Sequence, residues 1–309
     1  NTNSAEEYLI PDAIIHDFGL FGTTNYEWKS NVIQAGLRFD NRKINTEAYG
    51  ISGEENAFEA IDKSYDSFNM SLGYKTNLAT YFTLRFNLAS GFRAPNLAEL
   101  TSNGVHEGTN RYEIGNASLK TEQNLQTDLN LEYKTDHLEF FANAFYNHIN
   151  NYIYSSPSGT VLANNDVYNY IQNNARLYGG EIGLHFHPHP LDWLHYETSF
   201  ETVTGKKQNG DYLPLIPANN WNNTIRTEFN IKNWLQDGFA TLSVSSSAGA
   251  GSVDSKMWSS RLTSVWTNTG WSSASGTVTT FQCNGGSLSR HAATRSRIVA
   301  AVMVALSAV

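Results

Sequence analysis

What most limits the possible folds of this chain is a period-two alternation of apolar and polar residues, repeated in segments of about ten residues. Ile33, Ala35, Leu37 and Phe39 alternate with Gln34, Gly36, Arg38 and Asp40. Phe68, Met70, Leu72 and Tyr74 interleave with Asn69, Ser71 and Gly73. Phe82, Leu84, Phe86 and Leu88 do the same with Thr83, Arg85 and Asn87, and the pattern returns across 125–133, 182–186, 194–201 and 225–231. Helical spacing would scatter these side chains around an axis, whereas strand spacing sorts them onto two faces. About ten residues is also the length a tilted strand needs to cross a bilayer.

The connections sort as cleanly as the strands. Short ones fall near 22–28, 75–80, 134–137, 187–192 and 232–238, and long ones run over 41–67, 92–124, 148–177 and 204–220. Short and long alternate, as expected for hairpins with tight periplasmic turns and long extracellular loops. Aromatics gather beside the short turns: Tyr26 and Trp28, Tyr81 and Phe82, Trp193 and Tyr196, and Trp234. Such rings suit a membrane interface, where the ring is buried and its polar edge stays wet. The expected fold is therefore all-β, an antiparallel transmembrane β-barrel wall. A water-soluble antiparallel sheet is the competing reading. It leaves the thirty-residue loops and their strict alternation unexplained.

Composition narrows the function classes. Charged residues make up 16% of the 309 and aromatics 13%, against about 25% charge in ordinary soluble domains. Mean hydropathy is −0.41 and no apolar run reaches 18 residues, so strands rather than helices are the means of crossing. The net charge of −8 argues against a nucleic-acid partner, which needs clustered cations. Cys283 is the single cysteine, which excludes an internal disulfide and a multi-cysteine metal site. Asn1 opens without a signal peptide, so the sequence is expected to be a piece of a longer protein. From residue 248 the character changes: 248–309 is rich in Ser, Thr, Ala and Gly with Asp254 its one acid. Residues 1–247 are expected to form the partial wall, and 248–309 to be out-of-frame or foreign sequence.

Two stretches carry a family resemblance. GFRAPNLAEL holds Gly91, Phe92, Arg93, Ala94, Pro95, Asn96 and Glu99. GNASLKTEQN follows, with Gly115, Asn116, Leu119, Lys120 and Glu122. Together they resemble the barrel signature of TonB-dependent outer-membrane receptors, over roughly 14–245 of this chain. Arg93 and Pro95 are expected to end an upgoing strand, since proline cannot donate to the ladder. Glu99, Lys120 and Glu122 are expected to be structural where the loop folds back. The resemblance implies a barrel of about 22 strands closed by an N-terminal plug, of which this chain would hold about half the wall. It implies outer-membrane lipid as surroundings, and energy from the TonB complex through a plug that this sequence does not include. The stretch at 106–116 is similar to the branch that takes up zinc, haem or other iron complexes.

Candidate ligand residues lie in the long connections: His106, Glu107, Tyr112, Glu113, Tyr152, Tyr154, Tyr168 and Tyr170. Imidazole and carboxylate suit a metal such as Zn²⁺, and His106 is the candidate metal contact. The tyrosines offer faces for a planar chelate. His106-Glu107 resembles the start of a zinc-protease motif, but Asn110 stands where the second histidine belongs, so no protease follows. His185, His187 and His189 share one strand face with His195; Pro188 and Pro190 interrupt them at a periplasmic turn, and a structural or plug-facing role is expected. No catalytic constellation or phosphate loop is legible, and no resident cofactor is expected. The function implied is active uptake of a scarce nutrient, a siderophore-iron, haem or zinc complex. A passive porin or adhesin barrel without a plug is the alternative.

Overall fold

The computed structural model describes residues 9–54, 56–106, 108–231, 235–248, 258–267 and 279–284, the last two stretches through their backbone. The strands are β1 (Ala13–Trp28), β2 (Asn31–Thr46), β3 (Ile61–Ala79) and β4 (Phe82–Arg93). A short helix α1 (Leu97–Thr101) and a small hairpin, β5 (Asn103–His106) and β6 (Arg111–Ile114), follow. Then come β7 (Glu122–Lys134), β8 (Leu138–Leu162), β9 (Asn165–Phe186), β10 (Leu194–Lys207), β11 (Asn219–Ile231) and β12 (Leu235–Ala248). Two more, β13 (Trp258–Thr267) and β14 (Thr279–Asn284), continue the antiparallel pairing into the segment set apart by its composition.

Apart from β5 and β6, every strand lies beside its neighbour in sequence, giving one meander from β1 to β14. Among the described residues the two ends do not meet, so the sheet is an open wall rather than a closed barrel. No described helix is long and apolar enough to cross a membrane.

Register converts the alternation of single strands into rows across the wall. Ile33, Tyr74, Phe86 and Leu129 are successive cross-strand partners. One residue along, Lys75, Arg85, Asn130, Asn143, Glu181 and Glu201 form the matching polar row. The polar row is laced together: Arg85 donates to Asn130 at 2.8 Å and to Glu132 at 2.7 Å, Asn130 donates to Asn143, and Asn220 donates to Glu201 at 3.1 Å. The apolar side chains of this face stay largely exposed. Leu37 is 57% exposed, Phe68 59% and Ile182 54%. A contiguous apolar surface of this kind is an aggregation hazard in water and the expected face in hydrocarbon. The expected all-β transmembrane wall is what the chain forms.

At the short-turn end Tyr26 stacks on Trp28 (5.5 Å), Trp28 on Tyr74 (6.4 Å), and Phe82 lies 4.7 Å from Tyr133. Tyr74 donates its hydroxyl to Asn31 at 2.8 Å. These rings form the interfacial band expected beside the turns; Trp234 lies outside the described residues.

Some connections differ from their sequence reading: 22–28 and 75–79 are the ends of β1 and β3, whose turns follow at 29–30 and 80–81. The stretch 148–177 is not a loop: β8 and β9 run past the apolar band as a 25- and a 22-residue strand. They join through Ala163 and Asn164, both at positive φ (46° and 59°), the two-residue turn that matches strand twist. Polar residues on both faces hid the strands, because period-two contrast requires one greasy side. Bulges at Ile149/Tyr152 and Pro157/Val161 break the period further.

Candidate functional site

The buried apolar residues gather at the long-loop end. Ala13, Ile44, Ile61, Tyr65, Ala94, Leu97, Leu100, Leu119 and Ile153 form one apolar cluster, with Phe92 and Tyr170 packed against it. Ala94 is 5% exposed, and Pro95 is among the largest fully buried side chains. Proline ends β4 here, and Asn96 starts α1 as its N-cap. The Asn96 side chain accepts from the Glu99 amide (2.8 Å), while Glu99 accepts from the Asn96 amide (2.9 Å). This reciprocal pair is a capping box, which satisfies two amides a helix start leaves free.

Arg93 ties the turn together. Its guanidinium donates to Glu99 at 2.7 Å and to Glu122, on the neighbouring β7, at 3.0 Å. Glu122 also accepts the Ile153 amide at 2.9 Å. Gly115 crosses α1 so closely that a Cβ would lie 2.5 Å from the Thr101 nitrogen, so only glycine fits. The Asn116 amide donates to the Glu99 carbonyl (2.8 Å), the Lys120 amide to Gln172 (2.9 Å), and Tyr65 to the Leu119 carbonyl (3.3 Å). Gly91 faces Asn124, whose Oδ1 would be 2.8 Å from an added Cβ. These motif residues hold one another and leave little free for a ligand.

The candidate ligand residues stand just beyond. The hairpin β5–β6 docks through β6 in parallel register on β9, with Glu113 beside Tyr168. Glu113 is 8% exposed. It accepts from Tyr170 at 2.8 Å and meets His106 Nδ1 at 3.2 Å. Thr109 Oγ1 also lies 3.3 Å from His106 Nδ1. Burial, followed by the hydrogen bond to Glu113, raises the Tyr170 pKa above the ordinary tyrosine value. His106 is about half exposed. Tyr112 is buried and donates to Asn103 at 3.0 Å. Tyr168 lies under Arg111 at 4.3 Å, and Tyr152 stacks on Tyr154 at 6.1 Å. Lys207 approaches Tyr154 from β10 at 5.8 Å. His106, Glu113 and Tyr170 thus join in one network, with Tyr152 and Tyr154 on the adjoining strand. Glu107 lies outside the described residues.

Residues 1–283 match the family described as TonB dependent receptor-like, beta-barrel. The chain belongs to that family. Its members are bacterial outer-membrane barrels that transport rather than catalyse. Among solved structures the receptor barrel is similar to the copper transporter OprC, at 17% identity and a TM-score of 0.64. That likeness covers 84% of this chain and 44% of OprC. It is also similar to the FrpB iron transporter from Neisseria meningitidis, at 13% identity and a TM-score of 0.57, covering 85% and 40%. The Serratia marcescens hemophore receptor HasR, solved with its hemophore and heme, matches at 13% identity and a TM-score of 0.62, covering 86% and 48%. These likenesses are of fold. The chain spans less than half the length of each of the three.

At the opposite, short-turn end of the receptor barrel the histidines converge. His185 Nε2 lies 3.1 Å from His195 Nδ1, and the His187 ring is 5.6 Å from His185 and 5.4 Å from His195. The register sets Glu197, not His195, opposite His185; His195 meets it diagonally. Sequence spacing located the shared face, but only pairing β9 with β10 brings the three rings together.

Proposed function

We propose that this chain is wall from an outer-membrane receptor that takes up a scarce metal complex, driven by the TonB complex through a plug domain. The observation that supports this best is the family match over 1–283 on a sheet whose apolar rows face outward. The metal-complex reading rests on the network at the extracellular end. Glu113 orients the His106 ring through Nδ1, which leaves Nε2 as the ligand nitrogen. A carboxylate behind an imidazole in this way fixes its tautomer and raises its basicity toward a metal. The stacked Tyr152 and Tyr154 give an aromatic ledge beside it, suited to a planar chelate. Tyr112, Tyr168 and Tyr170 support that ledge and the hairpin. Glu107 is proposed as a second carboxylate.

The test is uptake by cells carrying the complete receptor, supplied in turn with zinc, haem and iron chelates under metal restriction. Uptake of one of these should require the receptor and should cease when TonB is deleted. Replacing His106 with Ala should reduce its affinity for the cargo by about tenfold. Uptake that continues without TonB would make the barrel a passive pore and overturn the proposal.

A further inference from the structure

The geometry points to a second site, at the periplasmic mouth of the wall: a three-imidazole centre for a divalent transition-metal ion, formed by His185, His187 and His195. One nitrogen from each ring lies within 4.8 Å of the other two. In a tetrahedral zinc centre, ligand nitrogens at about 2.0–2.1 Å from the metal stand about 3.3 Å apart. Side-chain rotation of about an ångström closes the set, and His185 with His195 is already there at 3.1 Å.

The backbone explains why the prolines do not spoil this arrangement. Strand β9 ends at Phe186, and the His187 amide still donates to the His137 carbonyl at 3.1 Å. His187 therefore stays in line with His185, and the break at Pro188 comes one residue later. On the returning strand, Tyr196 pairs with Phe186, which sets His195 across from His187.

The polar surroundings suit a cation. Between His185 and His195 one ring nitrogen donates and the other accepts, so a metal ion bound between them would take the place of the proton they share. His187 Nδ1 is shielded from solvent and has no hydrogen-bond partner, and buried polar atoms without partners are rare in native proteins. Glu139 and Glu197 flank His185 in register on either side. Glu228 lies 3.8 Å from His195 Nε2, so that if Nδ1 binds the metal this carboxylate stands behind the ring. Arg226, the cross-strand partner of His195, is engaged by Glu228 at 2.8 Å and by the Phe239 ring at 4.6 Å.

Three imidazoles select Zn²⁺, Co²⁺, Ni²⁺ or Cu²⁺ over Mg²⁺ or Ca²⁺. Three protein ligands leave a fourth position open, which makes the ion exchangeable rather than locked in. The site stands at the other end of the wall from His106 and does not depend on which cargo the extracellular end captures.

Co²⁺ titration of the full chain folded in detergent micelles tests this, read by the visible absorption of nitrogen-bound cobalt and by competition with Zn²⁺. One equivalent should bind with that spectrum. His187→Ala and His195→Ala should each weaken binding by at least about tenfold and remove the band, while His16→Ala, on β1 and outside the cluster, leaves both unchanged. Heat-modifiable migration in gels reports folding, and His187→Gln serves as the milder replacement. A wild-type chain without the band, or His187 and His195 variants that bind as wild type, overturns the site. Loss with His106→Ala alone would overturn it equally, because the cobalt would then be at the extracellular end.

Discussion

The membrane wall and the extracellular module use the same apolar side chains in opposite ways. In the wall Leu37, Phe68, Leu129 and Ile182 point away from the protein and touch no core. Thirty ångströms of hydrocarbon replaces a core there, and cohesion comes from the ladder and the polar rows. Above it, Leu97, Leu100, Leu119 and Ile153 pack inward around α1, as in a water-soluble domain. One sheet therefore meets two solvents, and an apolar residue's position relative to the bilayer decides its direction. The family motif sits where they meet: Arg93, Glu99 and Glu122 fasten the last paired residues of β4 and β7 to the packed turn above.

Leucine substitutions should separate the two regimes most sharply. Leu100→Ala opens a cavity in a buried cluster and is expected to cost about 4 kcal/mol of module stability. Limited proteolysis of the 94–121 connection should show it, with cleavage appearing where wild type resists. Leu129→Ala on the lipid face should cost clearly less, because acyl chains refill the space. Equal losses at the two sites in urea unfolding would mean that the wall also buries its rows against protein.

Charge on the lipid face comes next. Leu129→Arg should destabilise the folded barrel by about 3 kcal/mol if the residue lies near the bilayer midplane, and by less toward either interface. Unfolding in vesicles measures it, and no change would place Leu129 out of the hydrocarbon. Arg85→Ala, in the polar row opposite, should cost only up to about 1 kcal/mol, since its pair with Glu132 is well exposed.

The smallest effect is one of pH. Tyr170 is raised by burial and then by Glu113, so the folded module binds its proton more tightly than the unfolded chain. Its contribution is complete below the usual tyrosine value near 10 and is lost as pH climbs beyond it. Absorbance titration at alkaline pH should show Tyr170 missing from the ordinary tyrosine wave, and Tyr170→Phe should leave that wave unchanged. A Tyr170 that ionises with the exposed tyrosines would break the link between the hairpin β5–β6 and β9.

Much of this was legible in one dimension. Alternation at 33–40, 68–74 and 82–88 fixed the faces of the strands, because a pleated backbone turns each side chain over and hydrocarbon rewards one side. Gly91 to Pro95 and Gly115 to Glu122 marked a structured turn. The hairpin at Ala163 and Asn164 was not legible, because above the membrane both of its faces meet water and the contrast vanishes.

The sequence by itself determined which residues of the alternating strands share the apolar face and which the polar one, since that depends only on parity along each strand. Tertiary structure alone decided which distant residues meet: Glu113 with Tyr170, Arg93 with Glu122, and His185 with His195. Those contacts depend on register between strands, set by turn length and bulges, and a shift of one residue would exchange every partner and turn every side chain over.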